Sequence, residues 1–314
     1  MTETMPTVSV VCAWYNRADY IRDTIDSLLA QDYPNFDITV VNDGSPDPRV
    51  REILDSYTDP RLRVIHQDNT GFTRAIRRAI VESDGTYIAI QGAGDISLPG
   101  RLSAQVRYLE DRPDFAVVGC RYVNQVKGPD GDGERKLARV RTLEPTARDI
   151  MRGNPFGHGE VTMRRAAYDA VGGYRVFFEN SQDKDLWMRM SVNYRLGIID
   201  ETHYQRVIFL ADGIASSFEK TLKQIAYSRV ADVCHQERLK GERDSVDRFG
   251  QLALMRVPKG WRTTWRIVRA VKQVASQRLL AFEDFKITQE LFGTFAVIPN
   301  LLFYVVYRKV YGVR

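Results

Sequence analysis

The sequence is poor in the residues that build metal clusters and disulfide frameworks. It has three cysteines, Cys12, Cys120 and Cys234, and four histidines in 314 residues. Thiols so far apart make neither a disulfide scaffold nor a clustered zinc site, and they fit a reducing compartment. The first ten residues carry an acid and no basic run, so no signal peptide is expected. Several signatures are missing too. No G-x-G-x-x-G follows the first apolar run, and no G-x-x-x-x-G-K-[ST], G-x-S-x-G or H-E-x-x-H occurs. That argues against a dinucleotide fingerprint, a P-loop, a nucleophile elbow and a zincin helix. With 44% hydrophobic and 27% charged residues, disordered, collagen-like and polytopic membrane chains are excluded.

Acids are scarce at one end. From Arg256 to Arg314 stand eleven Lys or Arg and three acids, Glu283, Asp284 and Glu290. The whole chain is net +5, so the part before the tail is net negative. A basic tail on such a domain points to an acidic partner surface, membrane or nucleic acid.

What is present reads as alternating strands and helices. Residues 7–13 are a short β-rich apolar run, as a buried parallel strand requires. Over 18–31, Ile21, Ile25, Leu28 and Leu29 share one helix face. Residues 36–41 give a second strand, 48–57 a helix and 61–66 a third strand. Phe72, Ala75, Ile76, Ala79 and Ile80 repeat the helical spacing, and 86–90 form a fourth strand. Short connections between such elements imply right-handed βαβ units and a parallel sheet. Residues 113–123 predict another strand, 128–133 a hairpin tip or polar excursion, and 183–192 a helix.

Ligands of an open parallel sheet bind at the carboxyl ends of its strands. Three polar clusters fall there: Trp14-Tyr15-Asn16-Arg17, Asn42-Asp43-Gly44-Ser45 and Gln91-Gly92-Ala93-Gly94-Asp95. Each alone reads equally well as a turn. Three at one edge point to a site.

These residues resemble the family 2 glycosyltransferases, inverting enzymes with a GT-A fold. The likeness rests on Val-Val-Cys-Ala-Trp-Tyr-Asn-Arg, then Val-Val-Asn-Asp-Gly-Ser, Asn69-Thr-Gly71 and Gly85-Thr-Tyr-Ile-Ala-Ile. It continues through Arg164-Arg165, Val171-Gly172-Gly173-Tyr174 and Gln182-Asp183-Lys184-Asp185-Leu186-Trp187, covering about residues 6–215. The resemblance implies a donor pocket built from Ala13, Tyr15, Asn16, Asp43, Asn69, Gly71, Arg74 and the 92–95 loop. In it Asp43 would bond a nucleobase, usually uracil; a carboxylate accepts only, which suits an imide N–H. It also implies that Asp183 is the general base that an acceptor hydroxyl needs, with His158, Glu160, Gln182 and Trp187 on the acceptor or sugar side. A helix cap is the competing role for Asp183, and a structural loop residue for His158.

The chain departs from the family at one place. Most members carry Asp-x-Asp-Asp after the fourth strand, whose second acid holds Mg²⁺ or Mn²⁺ against the diphosphate. Here the aligned residues are Gly92-Ala93-Gly94-Asp95. Three outcomes are open: a cation held through Asp95, a diphosphate stabilised by arginines or backbone N–H groups, or lost catalysis.

Residues 256–278 hold seven basic residues and no acid, with Trp261, Trp265, Val268, Val271 and Val274 interleaved. That is the pattern of an interfacial membrane helix. Residues 291–307 carry no charge, but seventeen residues broken by Pro299-Asn300 are short of the ~20 that a span needs. A surface-lying or re-entrant segment is expected, with a helix packed on the domain or on a second copy as the alternative. Nucleic acid fits less well, because the aromatics alternate with aliphatics. The expected molecule is a GT-A domain over 1–215 (nucleotide half 1–112, acceptor half 113–215) and a helical basic region over 216–314. It would transfer a UDP- or dTDP-linked sugar to a lipid-linked glycan at the cytoplasmic face of the inner membrane, for surface polysaccharide or lipopolysaccharide. The alternatives are a soluble transferase acting on a protein or small molecule, its tail a homodimer interface, and a non-catalytic nucleotide-sugar-binding subunit.

Overall fold

A computed structural model describes residues 5–128, 131–209 and 218–256. The tail segments with a membrane-seeking pattern therefore lie outside the described residues. The chain divides into two compact units: the first runs to Val176 and resumes over Leu186–Phe209, and the second holds Phe177–Asp185 and the chain from Leu210 onward.

The first unit is built on strands β1 (Val8–Trp14), β2 (Phe36–Asp43), β3 (Leu62–Gln67) and β4 (Tyr87–Gln91), parallel neighbours in the order β3-β2-β1-β4. Val8 lies opposite both Phe36 and Tyr87, and Asp43 opposite Gln67. Helices cover both faces of this sheet, so every residue of β1 is buried and the strand reads as an unbroken apolar run. Helices α1 (Ile21–Leu29), α2 (Pro48–Asp55) and α4 (Arg101–Glu110) share a core with Val8, Val10, Cys12 and Trp14. Helix α3 (Phe72–Val81) packs on β1 and β2, burying Ala75, Ile76, Ala79 and Ile80. Side chains alternate across a strand, so α3 takes the opposite face.

The expected helix over 18–31 is shorter. A 3₁₀ turn, Ala18–Tyr20, precedes α1, because Asn16 and Arg17 stand at φ 58° and 60° and reverse the chain after β1. The sheet is mixed rather than parallel throughout. Strand β8 (Thr162–Arg164) sits antiparallel between β4 and β6 (Phe115–Gly128). Strand β9 (Arg195–Phe209) runs parallel to β6, and β5 (Ile96–Ser97) pairs antiparallel with β9. Strand β7 (Gly131–Leu137) returns along β6 with Gly128 opposite Gly131, the hairpin that the polar loop predicted. Helices α5 (Ala147–Arg152) and α6 (Arg165–Ala170) complete this unit with the second half of α7 (Gln182–Met190).

In the second unit, Phe177 and Phe178 pack around Tyr227 with ring centroids 5.6 and 6.1 Å away. Tyr227 belongs to α8 (Phe218–Leu239). Lys184 at the start of α7 is 4% exposed; its Nζ reaches Asp232 Oδ1 at 2.6 Å and Ser228 Oγ at 2.9 Å. Asp244 caps α9 (Ser245–Phe249) through the Val246 and Asp247 N–H groups. Among the described residues no helix is long and apolar enough to cross a membrane.

Candidate active site

Four loops meet at the carboxyl edge of β1 to β4 and are laced together by hydrogen bonds. The Asn16 N–H donates to Ser45 Oγ at 2.9 Å, and Ser45 Oγ donates to Asn42 Oδ1 at 2.6 Å. Arg17 reaches across to the loop after β4, its guanidinium donating to Ala93 O at 2.9 Å. The third tie is Asp43, which is 3% exposed. Its Oδ1 accepts from Gln67 Nε2 at 2.7 Å, Thr70 N–H at 2.8 Å and Thr70 Oγ1 at 3.1 Å; its Oδ2 accepts the Gly71 N–H at 2.9 Å. Strand register explains the closeness, since Asp43 ends β2 opposite Gln67 at the end of β3. Each carboxylate oxygen has two lone-pair sites, so Oδ2 retains one.

A cleft of about 270 Å³ opens here, lined by Ala13, Trp14, Tyr15, Asp43, Asn69, Gly71 and Phe72. Five residues expected in the donor pocket, Ala13, Tyr15, Asp43, Asn69 and Gly71, thus come together. Tyr15 is 46% exposed and Phe72 37%, two aromatic faces beside a buried carboxylate. Phe72 was not foreseen; the signal available was a large apolar residue opening a helix directly after Gly71. Asn16 contributes from behind the lining, through its backbone bond to Ser45. Arg74 is exposed on the first turn of α3, its guanidinium donating to the Thr70 carbonyl at 3.4 Å.

The loop after β4 is closed against β9. Asp95 Oδ1 accepts the Val207 N–H at 2.7 Å, and Oδ2 accepts the Tyr204 hydroxyl at 2.8 Å. Tyr204 Oη in turn accepts the Gly92 N–H at 3.0 Å. Asp95 is 7% exposed, and burial pushes its carboxyl up to about 6, against the pull of these hydrogen bonds and of Arg206 and Arg17. The glycines are required. A Cβ on Gly92 would lie 2.1 Å from Asp95 Oδ2, and one on Gly94, at φ +92°, 2.8 Å from the Phe209 ring. Behind the loop lies Arg101, wholly buried, whose guanidinium bonds Gln91 Oε1, Ser97 Oγ, Gln105 Oε1 and the carbonyls of Ile90 and Gly159.

Acceptor-side expectations fare differently. His158, at φ 83°, has Nε2 2.7 Å from the Tyr174 hydroxyl and its ring edge-on to Phe72 at 5.5 Å, next to the cleft. Glu160 and Trp187 do not reach a surface. Glu160 is 1% exposed, with Oε1 accepting the Gly157 N–H at 2.6 Å. Trp187 is fully buried against Phe156 and His158. Both support the loop over 156–160 rather than line an open site. Gln182 and Asp183 are half-buried in the first turn of α7, in the second unit, where Asp183 Oδ1 accepts the Lys184 N–H at 2.7 Å.

Residues 9–172 match the family model described as glycosyl transferase family 2. The chain belongs to that family. This family 2 chain is 31% identical over 189 residues to the putative glycosyltransferase EpsE of Bacillus subtilis (strain 168), covering 59% of itself and 66% of EpsE. It is 34% identical over 115 residues to the putative teichuronic acid biosynthesis glycosyltransferase TuaG of the same organism, covering 36% of itself and 45% of TuaG. It thus spans about two thirds of the one relative and less than half of the other. Its fold is that of S. aureus TarS 1–349 in complex with UDP-GlcNAc, with a TM-score of 0.60, 14% identity and coverage of 96% and 92% of the two chains.

The Mg²⁺ or Mn²⁺ that the family resemblance implied does not fit this loop. Neither glycine position has room for a side chain, and the remaining acid, Asp95, is turned inward with both oxygens engaged. Among the described residues no group of three His, Cys, Asp or Glu is placed to hold a metal. Asp95 as a metal ligand is therefore corrected to Asp95 as a buried tie between the loop and β9. The partners that make it so, Tyr204 and Val207, were not foreseen.

Proposed function

We propose that this chain is an inverting glycosyltransferase that takes a sugar from a UDP- or dTDP-linked donor and passes it to a lipid-linked glycan. The observation that carries the donor half is Asp43. An acceptor-only carboxylate with a lone pair left on Oδ2 suits the imide N–H of uracil or thymine. Tyr15 and Phe72 offer faces on which a base stacks. In the reaction the acceptor hydroxyl attacks the anomeric carbon from the side opposite the diphosphate. A new C–O bond forms as the bond to the diphosphate breaks, and the hydroxyl proton passes to a carboxylate. Asp183 is assigned as that base through the match of Gln182-Asp183-Lys184-Asp185-Leu186 to the family motif.

Replacing Asp183 by Asn is expected to lower turnover by about 10²–10⁴-fold, with the Kd for nucleotide unchanged. A variant that turns over normally would remove the assignment. The acceptor half draws on the name of the relative TuaG and on the basic, Trp-containing sequence over 256–278. An acceptor confined to a bilayer meets a surface-bound enzyme at high local concentration, so we place the chain on the cytoplasmic face of that membrane.

A further inference from the structure

Resting on the donor reading above, we propose that Gln67 and Thr70 set the base specificity of this chain. They are positioning residues that act through Asp43. By filling one of its oxygens they make the cleft accept a base with a single N–H donor, uracil or thymine, and reject guanine, which presents more than one.

Donors and lone pairs can be counted. Asp43 Oδ1 accepts from Gln67 Nε2 at 2.7 Å, the Thr70 N–H at 2.8 Å and Thr70 Oγ1 at 3.1 Å. Three donors face two lone-pair sites, so Oδ1 is closed. Oδ2 accepts the Gly71 N–H at 2.9 Å and keeps one site. Gly71 lines the cleft, whereas Gln67 and Thr70 are not among its lining residues. The oxygen with a site left is thus the one whose protein partner faces the cleft.

The closure is braced from outside the cleft. Gln67 Nε2 also donates to Thr70 Oγ1 at 2.8 Å, and that hydroxyl donates on to Oδ1. Both N–H groups of the Gln67 amide are thereby used within a ring of three side chains. The amide is held this way round at its other end. Its Oε1 accepts from the Arg78 guanidinium at 2.8 Å, and an arginine only donates. Arg78 projects from α3, while Gln67 ends β3 opposite Asp43. One helix and two strands therefore fix which carboxylate oxygen stays open.

Bases differ in what they offer a carboxylate. Uracil and thymine carry one imide N–H between two carbonyls. Guanine carries a ring N–H with an amino group beside it, a pair that suits both oxygens of a carboxylate at once. Against an Asp43 with one open site, guanine leaves its amino N–H without an acceptor. A desolvated donor left unpaired costs more than a typical hydrogen bond returns. Selection then works by penalising the wrong ligand, with no added contact to the right one.

The test is calorimetric titration of the full chain with UDP, GDP, dTDP and dGDP. Each pair shares its sugar and diphosphate, so the ratio of Kd values within a pair reports the base. Wild type is compared with Gln67→Ala, Thr70→Val and the double variant. Wild type is expected to bind UDP, or dTDP, about tenfold or more tighter than its guanine counterpart. Each single variant leaves two donors on Oδ1 and should keep most of that ratio. The double variant leaves the Thr70 N–H alone, and its ratio should fall to within about threefold of one. Should it not fold, Gln67→Leu with Thr70→Val opens the same site while keeping the volume of the amide. A merely structural role would weaken every nucleotide by the same factor. A double variant that keeps the full ratio would therefore overturn the proposal alone, as would wild type binding UDP and dTDP no tighter than GDP and dGDP. No binding of UDP or dTDP would overturn the donor reading and this proposal with it.

Discussion

Glu160 is a buried carboxylate with one oxygen bonded to the Gly157 N–H and the other, Oε2, without a hydrogen-bond partner among the described residues. Burial pushes its carboxyl up from 4.5 to about 7, with the Gly157 bond and the charges of Arg101 and Arg206 pulling the other way. Between those two values the folded chain keeps a proton that the unfolded chain has lost. Its contribution to stability is therefore complete below pH 4.5 and declines as pH rises toward 7. Asp95 acts in the same direction between 3.8 and about 6. Glu160→Gln removes the first of these slopes. Urea unfolding at pH 4 and pH 8 should show the variant gaining about 2–3 kcal/mol on wild type over that interval; parallel pH profiles would contradict the assignment. Arg101 shows the same economy of burial with the opposite sign of charge. Arg101→Met would strand the carbonyls of Ile90 and Gly159 together with three side-chain acceptors, and is expected to cost about 3–5 kcal/mol in the same assay.

Helix α7 begins on a buried ion pair. Lys184 and Asp232 are 4% and 1% exposed, and Arg229 joins Asp232 Oδ2 at 2.7 Å. Removing Asp232 deprives buried Lys184 and its neighbour Arg229 of their shared carboxylate, so Asp232→Ala should lower unfolding free energy by about 3–5 kcal/mol. The double variant Lys184→Met, Asp232→Leu should recover most of the loss, and a single-variant cost below about 1 kcal/mol would mean that the pair is hydrated. Elements differ in how legible they are from sequence. Strands β1 to β4 and helices α1 and α3 announce themselves because each buries a face or both faces by its own local period. Helix α7 is readable too, its ends one or two residues from those expected. Strand β9 is not. It interrupts its apolar positions with Asp200, Glu201 and Arg206. Its pairing with β6 is a long-range event with no local period. At the donor site the same division holds. Ala13, Tyr15, Asp43, Asn69 and Gly71 follow strand ends and could be named in advance, whereas Asp95 finds its partners 109 and 112 residues away.

The charge of the whole chain is divided between its ends, net acidic up to residue 255 and strongly basic beyond it. Full-length protein is expected to sediment with vesicles containing anionic lipid. Deleting residues 257–314 should abolish this, and vesicles of neutral lipid should bind about tenfold less. Sedimentation that survives the deletion would move the membrane surface onto the domain itself. Sequence distance has a consequence of another kind. The 112 positions between Asp95 and Val207 correspond to about 6–22 s of translation at ~5–20 residues per second. During that interval the nascent loop after β4 exists without the N–H and hydroxyl that later hold it. A chain released before Tyr204 is thus a molecule that lacks both partners of Asp95.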